Sequence, residues 1–287
     1  MMTINSGMNV FKGSGIFIAI SLLLLCTYYF FIHKSKKDIN SSASNISIVD
    51  DTIKEKPGAG AGKTDSTVSV EFLTGKFDPV KDSSFTECDP EYASRSGIFI
   101  KKETYKAFIK MFYAAKNDGV ALKIVSGTRN FRYQKSIWEQ KWNGGRTVEG
   151  KNLAQAVKDP AERAGIILKY SSMPGTSRHH WGTDVDLNSI DPGYFETAAG
   201  KKVYDWLRNN ASTYGFCQPF SAKGEKRKNG YEEEKWHWSY LPLARIYLKE
   251  YRAKISYENI SGFAGSQTAS QLDVINNYVL SISSDCE

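Results

Sequence analysis

Residues 177–188 read SRHHWGTDVDLN and residues 232–240 read EEEKWHWSY. Together they hold three of the chain's four histidines, set among acids and tryptophans. An imidazole titrates near neutrality, and each ring nitrogen needs a hydrogen bond or a metal when buried. Alternation in DVDL and KWHWSY gives both stretches strand character, so Asp184 and Asp186, two apart, share one face. One histidine of the pair His179–His180 and one of these two aspartates then join His237 as a set of three donors. Three mixed imidazole and carboxylate donors suit a catalytic zinc, which keeps a fourth position for water. The bland alternative is that each histidine is a satisfied core residue, the commoner fate of a lone buried imidazole. Glu234 stands three positions before His237, a gap that a regular strand would turn to the other face. It therefore belongs in a turn or bulge at the strand mouth, where a carboxylate can take a proton from an activated water. Trp236 and Trp238 alternate with His237 and read as core.

Working outward, SGTRNFRYQ (126–134) leaves the apolar run ALKIVS (121–126), a buried strand by pattern. Arg129 at that strand end could grip a carboxylate through two parallel bonds, and Gln134 could add a neutral one. The alternative is a surface arginine beside a helix cap at Asn130. Tyr105, Phe108, Ile109, Phe112 and Ala115 recur at helical spacing and stop at Asn117-Asp118-Gly119. Asn130 opens a helix carrying Ile137, Trp138 and Trp142, and Asp159-Pro160 opens another through Tyr170. Val203, Trp206, Leu207 and Tyr214 mark a further helix ending at Gly215. Pro242 begins one with Leu243, Ile246, Tyr247 and Tyr251, and Leu272, Ile275, Val279 and Ile282 mark the last. TVSVEFL (67–73) alternates like a strand or extended arm. Helices mixed irregularly with few strands, and no glycine-rich loop after a strand, give an α+β class rather than a doubly wound nucleotide binder.

The 287 residues carry a formal charge of +7. The basic runs HKSKK (33–37) and KGEKRK (223–228) are short and lack interleaved aromatics, so no nucleic-acid partner is expected. Residues 16–32, IFIAISLLLLCTYYFFI, are an uncharged apolar run close to the ~20 residues that span a bilayer. The lysines that follow it argue against signal cleavage, so residues 1–37 read as an N-terminal membrane anchor. Lys34, Lys36 and Lys37 outnumber Lys12, a bias that by itself would keep the following chain in the cytoplasm. Residues 38–66 read as a flexible linker and 67–287 as one catalytic domain. Beyond the span lie Cys88, Cys217 and Cys286, which allow one disulfide and leave one thiol.

SGTR with Gln134, SRHHWGTDVD and EKWHW, in that order and spacing, resemble the VanY-type zinc D-alanyl-D-alanine carboxypeptidase family over roughly residues 72–251. The resemblance implies an antiparallel sheet with helices packed on it. It implies Zn2+ held by His179, Asp186 and His237, Glu234 as catalytic base, and Arg129 facing a substrate carboxylate or developing oxyanion. Gln134 and Ser177 match substrate contacts, whereas His180 and Asp184 fall at variable places of the pattern. The expected function is hydrolysis of the terminal D-alanine, from a D,D or an L,D bond, of peptidoglycan stem peptides. The alternatives are an endopeptidase with the same metal centre or a non-catalytic wall-binding module. Such substrates lie outside the cytoplasm, so an anchored, outward-facing domain is expected in spite of the lysine bias.

Overall fold

The computed structural model describes residues 68–287. The apolar run 16–32, the linker 38–66 and Cys26 lie outside the described residues. Among the described residues no helix is long and apolar enough to cross a membrane.

The fold is α+β with two small antiparallel sheets. Strands β1 (Phe85–Glu87) and β2 (Phe99–Lys101) form a hairpin sheet that leads into α2 (Lys102–Asn117), after the short α1 (Val70–Leu73). The second sheet has four strands, β3 (Ile124–Ser126), β4 (Asp184–Leu187), β5 (Phe216–Cys217) and β6 (His237–Tyr240), in the order β3-β4-β6-β5. Helices α3 (Phe131–Trp142), α4 (Leu153–Ala156) and α5 (Pro160–Ile167) lie between β3 and β4 in sequence, and α6 (Ala198–Asn210) lies between β4 and β5. Helix α7 (Leu241–Lys254) follows β6 directly, and α8 (Thr268–Gln271) precedes the last turns.

Every residue of β4 is buried. Val185 and Leu187, with Trp238 of β6, pack into a core built with Phe108 and Met111 of α2 and Trp206 and Leu207 of α6. Side chains alternate along a strand, so Asp184 and Asp186 share the other face. A separate core, with Trp138 and Trp142 of α3, Trp181, and Leu248 and Tyr251 of α7, fills out the rest of the molecule. The register sets Asp186 opposite His237 and Asp184 opposite Ser239. Carboxylates buried in this way cost several kcal/mol unless paired, so a polar strand face beneath helices must find partners there.

Local signals explain most boundaries. The Asn130 side chain accepts from Tyr133 N at 2.9 Å, and that of Asp159 from Glu162 N at 2.7 Å, each capping its helix. Several expectations need correction. Within the stretch read as a strand or arm, the described residues 68–73 form no strand: Ser69 caps the turn of α1 and Leu73 is buried. Only Ile124–Ser126 of ALKIVS pairs, with a register shift against β4. The helix from Pro160 ends at Ile167, before Tyr170. On α7 the buried positions are Ala244, Leu248 and Tyr251, while Ile246 is 50% exposed. The expected terminal helix is broken at Asp273, whose φ of 47° is left-handed and whose carboxylate accepts from the Tyr257 hydroxyl, so Ile275–Val279 form a separate wide turn. Cys217 and Cys286 form a disulfide and Cys88 is a buried free thiol.

Candidate metal and peptide site

His179 sits on the single turn Arg178–Trp181, which ends at Gly182 with φ of 72°. A Cβ at Gly182 would lie 2.4 Å from the Phe85 ring and 3.1 Å from Lys101 N, so only glycine lets the turn dock against β2. The His179 Nδ1 lies 2.8 Å from the carbonyl oxygen of Gly127. A carbonyl only accepts, so Nδ1 carries the proton and Nε2 presents a lone pair. That Nε2 faces Asp186 Oδ1 at 3.3 Å, and neither atom has a hydrogen-bond partner. From β6, His237 Nε2 lies 2.9 Å from Asp184 Oδ1, while its Nδ1 turns to Asp186 Oδ1 at 3.5 Å and Glu234 Oε2 at 3.0 Å. One donor atom from each of His179, Asp186 and His237 falls within 4.8 Å of the other two. Two buried lone pairs facing each other repel unless a cation or proton lies between them, so this donor set fits a divalent metal.

Burial and neighbouring charges shift every member of the trio. Burial holds the His179 pKa low, and the Arg129 guanidinium adds to the effect. Burial opposes ionisation of Asp186 as well, yet the adjacent His179 ring and the Arg129 guanidinium hold its carboxyl well below the usual range. For His237 burial acts downward, but the hydrogen bonds to Asp184 and Glu234 and the charge of Asp186 win, raising it to about 9. Burial raises Glu234, only partly offset by His237. Glu234 lies before β6 in a turn closed by His237 N donating to Glu234 O at 3.2 Å, as the gap of three required.

Arg129 is anchored from both sides. Its backbone N donates to His179 O at 3.2 Å, and its Nη1 lies 3.3 Å from Ser126 Oγ and 3.4 Å from Asp186 Oδ2. Its carbonyl accepts from His180 Nδ1, and His180 Nε2 accepts from Gly175 N at 3.0 Å. Both nitrogens of His180 are thereby used, and burial lowers its pKa to about 3. Arg129, Asp186 and Glu234 line a cavity of about 690 Å³, whereas Gln134 and Ser177 do not. Those two are buried, each with one side-chain oxygen lacking a partner. A larger cavity of about 800 Å³ near the disulfide, lined in part by Tyr204, Gln218 and Glu233, holds none of the five converging side chains. Volume therefore does not decide where the chemistry is.

The family profile described as VanY: D-alanyl-D-alanine carboxypeptidase matches residues 97–243, which hold all of these side chains. The chain belongs to the VanY family. It is similar to the putative carboxypeptidase YodJ of Bacillus subtilis (strain 168), 29% identical over 178 residues covering 59% of this chain and 56% of the relative. It is also similar to a D-alanyl-D-alanine carboxypeptidase of Enterococcus faecalis, 33% identical over 133 residues, covering 46% of this chain and 45% of the relative. The chain thus spans about half the length of these curated relatives. Among solved structures, a mutant of the vancomycin resistance D,D-pentapeptidase VanY in complex with Zn(II) is 25% identical, with TM-score 0.43, covering 58% of this chain and 84% of that one. The LdcB LD-carboxypeptidase is 26% identical, with TM-score 0.43, covering 63% and 81%.

This VanY-family domain contains a buried group that spacing alone did not single out. Asp184 gathers donors from Arg178 Nε at 3.0 Å, Thr183 Oγ1 at 2.6 Å and Ser239 Oγ at 3.0 Å besides His237 Nε2. Arg178, stacked over Trp181, also donates to Ser239 Oγ at 2.7 Å. Burial opposes the charge on Asp184, but Arg178 and His237 hold its carboxyl far below the usual range. The only signal in the sequence was the two-residue period that sets Asp184 and Asp186 on one face. Nothing marked Arg178 or Ser239 in advance.

Proposed function

We propose that this chain is a zinc-dependent carboxypeptidase that removes the C-terminal D-alanine of peptidoglycan stem peptides. The observation that carries the reading is the unpartnered, buried His179 Nε2 facing Asp186 Oδ1, with His237 Nδ1 as third donor. Those three atoms would hold the metal. A bound zinc supplies Lewis acidity, polarising the scissile carbonyl and acidifying the attacking water. Glu234, with a raised pKa and a place on the cavity wall, takes the proton of that water and passes it to the leaving amine. Arg129 fixes the terminal carboxylate, which makes the enzyme an exopeptidase. Asp184 fixes the tautomer and plane of His237, and His180 fixes the backbone of Arg129.

The test is metal analysis of the purified protein together with incubation on stem tetrapeptides and pentapeptides, products read by mass. One zinc per chain and release of D-alanine are expected, and the substrate that yields it assigns the D,D or L,D preference. Cleavage of crosslinked fragments with free peptides untouched would favour an endopeptidase instead. In Glu234→Ala we expect zinc retained and turnover lowered by roughly 10²–10⁴-fold. Turnover at the original rate would remove Glu234 from the chemistry.

We place the domain outside the cytoplasmic membrane, anchored through residues 16–32. The support is the disulfide between Cys217 and Cys286, a bond that persists in oxidising compartments. Digestion of the domain by protease added to intact cells or spheroplasts tests this placement.

A further inference from the structure

Of the large apolar and aromatic side chains exposed among the described residues, Tyr133, Tyr170 and Ile190 line the cavity of the metal site and Tyr113 bonds to Tyr92. Val80 lies in a turn beside Lys81. Ile246, half exposed on α7, has no such explanation. Around it stand Arg245, Lys249 and Arg252, all exposed. With 3.6 residues per turn, these four side chains fall within about a third of the helix circumference. None of the three cations has a carboxylate within salt-bridge distance among the described residues. The acid of the same helix, Glu250, is taken by Lys254 at 2.7 Å, and the exposed Glu71 of α1, which packs on α7, pairs with none of them. Uncompensated cations around an aliphatic side chain suit a helix face that lies against anionic lipid.

The chain also enters the domain at this helix. Lys254 Nζ donates to the carbonyl oxygen of Val68, the first described residue, at 2.8 Å, which pins the end of the linker to the last turn of α7. The roughly 30 residues of that linker reach at most about 100 Å when extended, and a tether attached beside Arg252 concentrates this face at the surface holding its other end. Helix α2 carries a similar row, Lys102, Lys106 and Lys110, but Glu103 stands among them and the linker is pinned elsewhere. No residue of α7 lines the cavity of the metal site, so a contact through α7 does not occupy it.

We propose that the exposed face of α7, formed by Arg245, Ile246, Lys249 and Arg252, docks the domain on an anionic phospholipid membrane. The docking rests on the anchored placement proposed above and adds to it the side of the domain that meets the lipid. Each basic side chain at an anionic leaflet tightens association about fivefold, so three give about a hundredfold. The attraction ends within a Debye length, ~8 Å at physiological salt. Contact of this strength is marginal for a free protein and sufficient to orient a tethered one.

The experiment uses the full chain with vesicles of phosphatidylcholine, alone or mixed with phosphatidylglycerol, each carrying a trace of dansyl-labelled lipid. Trp181 lies beneath α7, its ring centroid 5.9 Å from that of Tyr251, so energy transfer from tryptophan to dansyl reads the approach of this face. Transfer should be higher with phosphatidylglycerol and fall to the phosphatidylcholine value in about 1 M salt. It should fall likewise in Arg245→Gln/Lys249→Gln/Arg252→Gln, where the ratio of docked to undocked protein drops about a hundredfold. The matched variant Lys102→Gln/Lys106→Gln/Lys110→Gln should keep the rise, and both variants should keep the denaturation midpoint of the original chain. Equal transfer with the two lipids, a rise that survives the α7 substitutions, or one lost equally on α2 overturns the docking face. Retention on an anionic wall polymer with no response to lipid charge also overturns it. Flotation with phosphatidylcholine tests the anchor separately. A chain that floats only with phosphatidylglycerol, and no longer does so after the α7 substitutions, loses the anchor and keeps the docking.

Discussion

Asp184 draws together the ion pair to Arg178, two hydroxyl donors and the far side of His237, all out of solvent. Asp184→Ala would leave Arg178 buried without a counter-charge, at about 3–5 kcal/mol of stability. It would also free the His237 ring, and we expect zinc affinity to fall by roughly 10–100-fold. Chemical denaturation and competition with a chromophoric chelator read the two effects separately; unchanged zinc affinity would limit Asp184 to a structural part. His180 gives a second prediction at this scale. It is neutral in both states above pH 6.5, but as pH falls toward about 3 the unfolded chain takes a proton that the folded one refuses. Its contribution to stability is therefore lost on acidification through that window, by up to about 1.4 kcal/mol per pH unit. Urea midpoints between pH 6.5 and 4 should fall less steeply in His180→Asn than in the original chain. The sequence left His179 and His180 equivalent on spacing, as it did Asp184 and Asp186. What separates them is which atoms are already satisfied: His180 spends both nitrogens on Arg129 and Gly175, and Asp184 is surrounded by donors. The distant partners, Arg129 for His180 and His237 and Ser239 for Asp184, lie some fifty positions away in the chain and leave no local pattern to read.

At the scale of elements, strand alternation and helix caps carried most of the legible information. The cap at Asn130, the stop at Gly119 and the two site strands could be read because each depends on residues within one turn or one pleat. Residues 67–73 misled because their apolar period of two is only one turn long, and the Ser69 cap decides in favour of helix. The terminal stripe misled because Asp273 adopts a left-handed conformation that periodicity does not register.

For the whole molecule, the disulfide joins Cys217 of β5 to Cys286, 69 positions later, and so fixes the last segment beside the site sheet. In the chain-entropy account a loop of this length is worth about 4 kcal/mol. Reduction should therefore lower the denaturation midpoint markedly, while Cys88, buried and with its pKa raised to about 12 by that burial, stays unreactive to thiol reagents until the fold opens. A midpoint indifferent to reductant would show that packing alone holds the C-terminal segment. Which cysteines pair was closed to sequence reading, since three thiols allow more than one choice and the answer depends on how the chain returns to β5.

The register of β4 against β6 has one more consequence. Asp186 and His237 are direct cross-strand partners, and a slip of one residue would turn either proposed ligand toward the apolar core. Capture of a metal by the proposed trio would then act as a proofreading step in maturation, rewarding only chains whose two central strands have paired correctly. The spectrum of cobalt taken up during refolding would time the closing of that sheet.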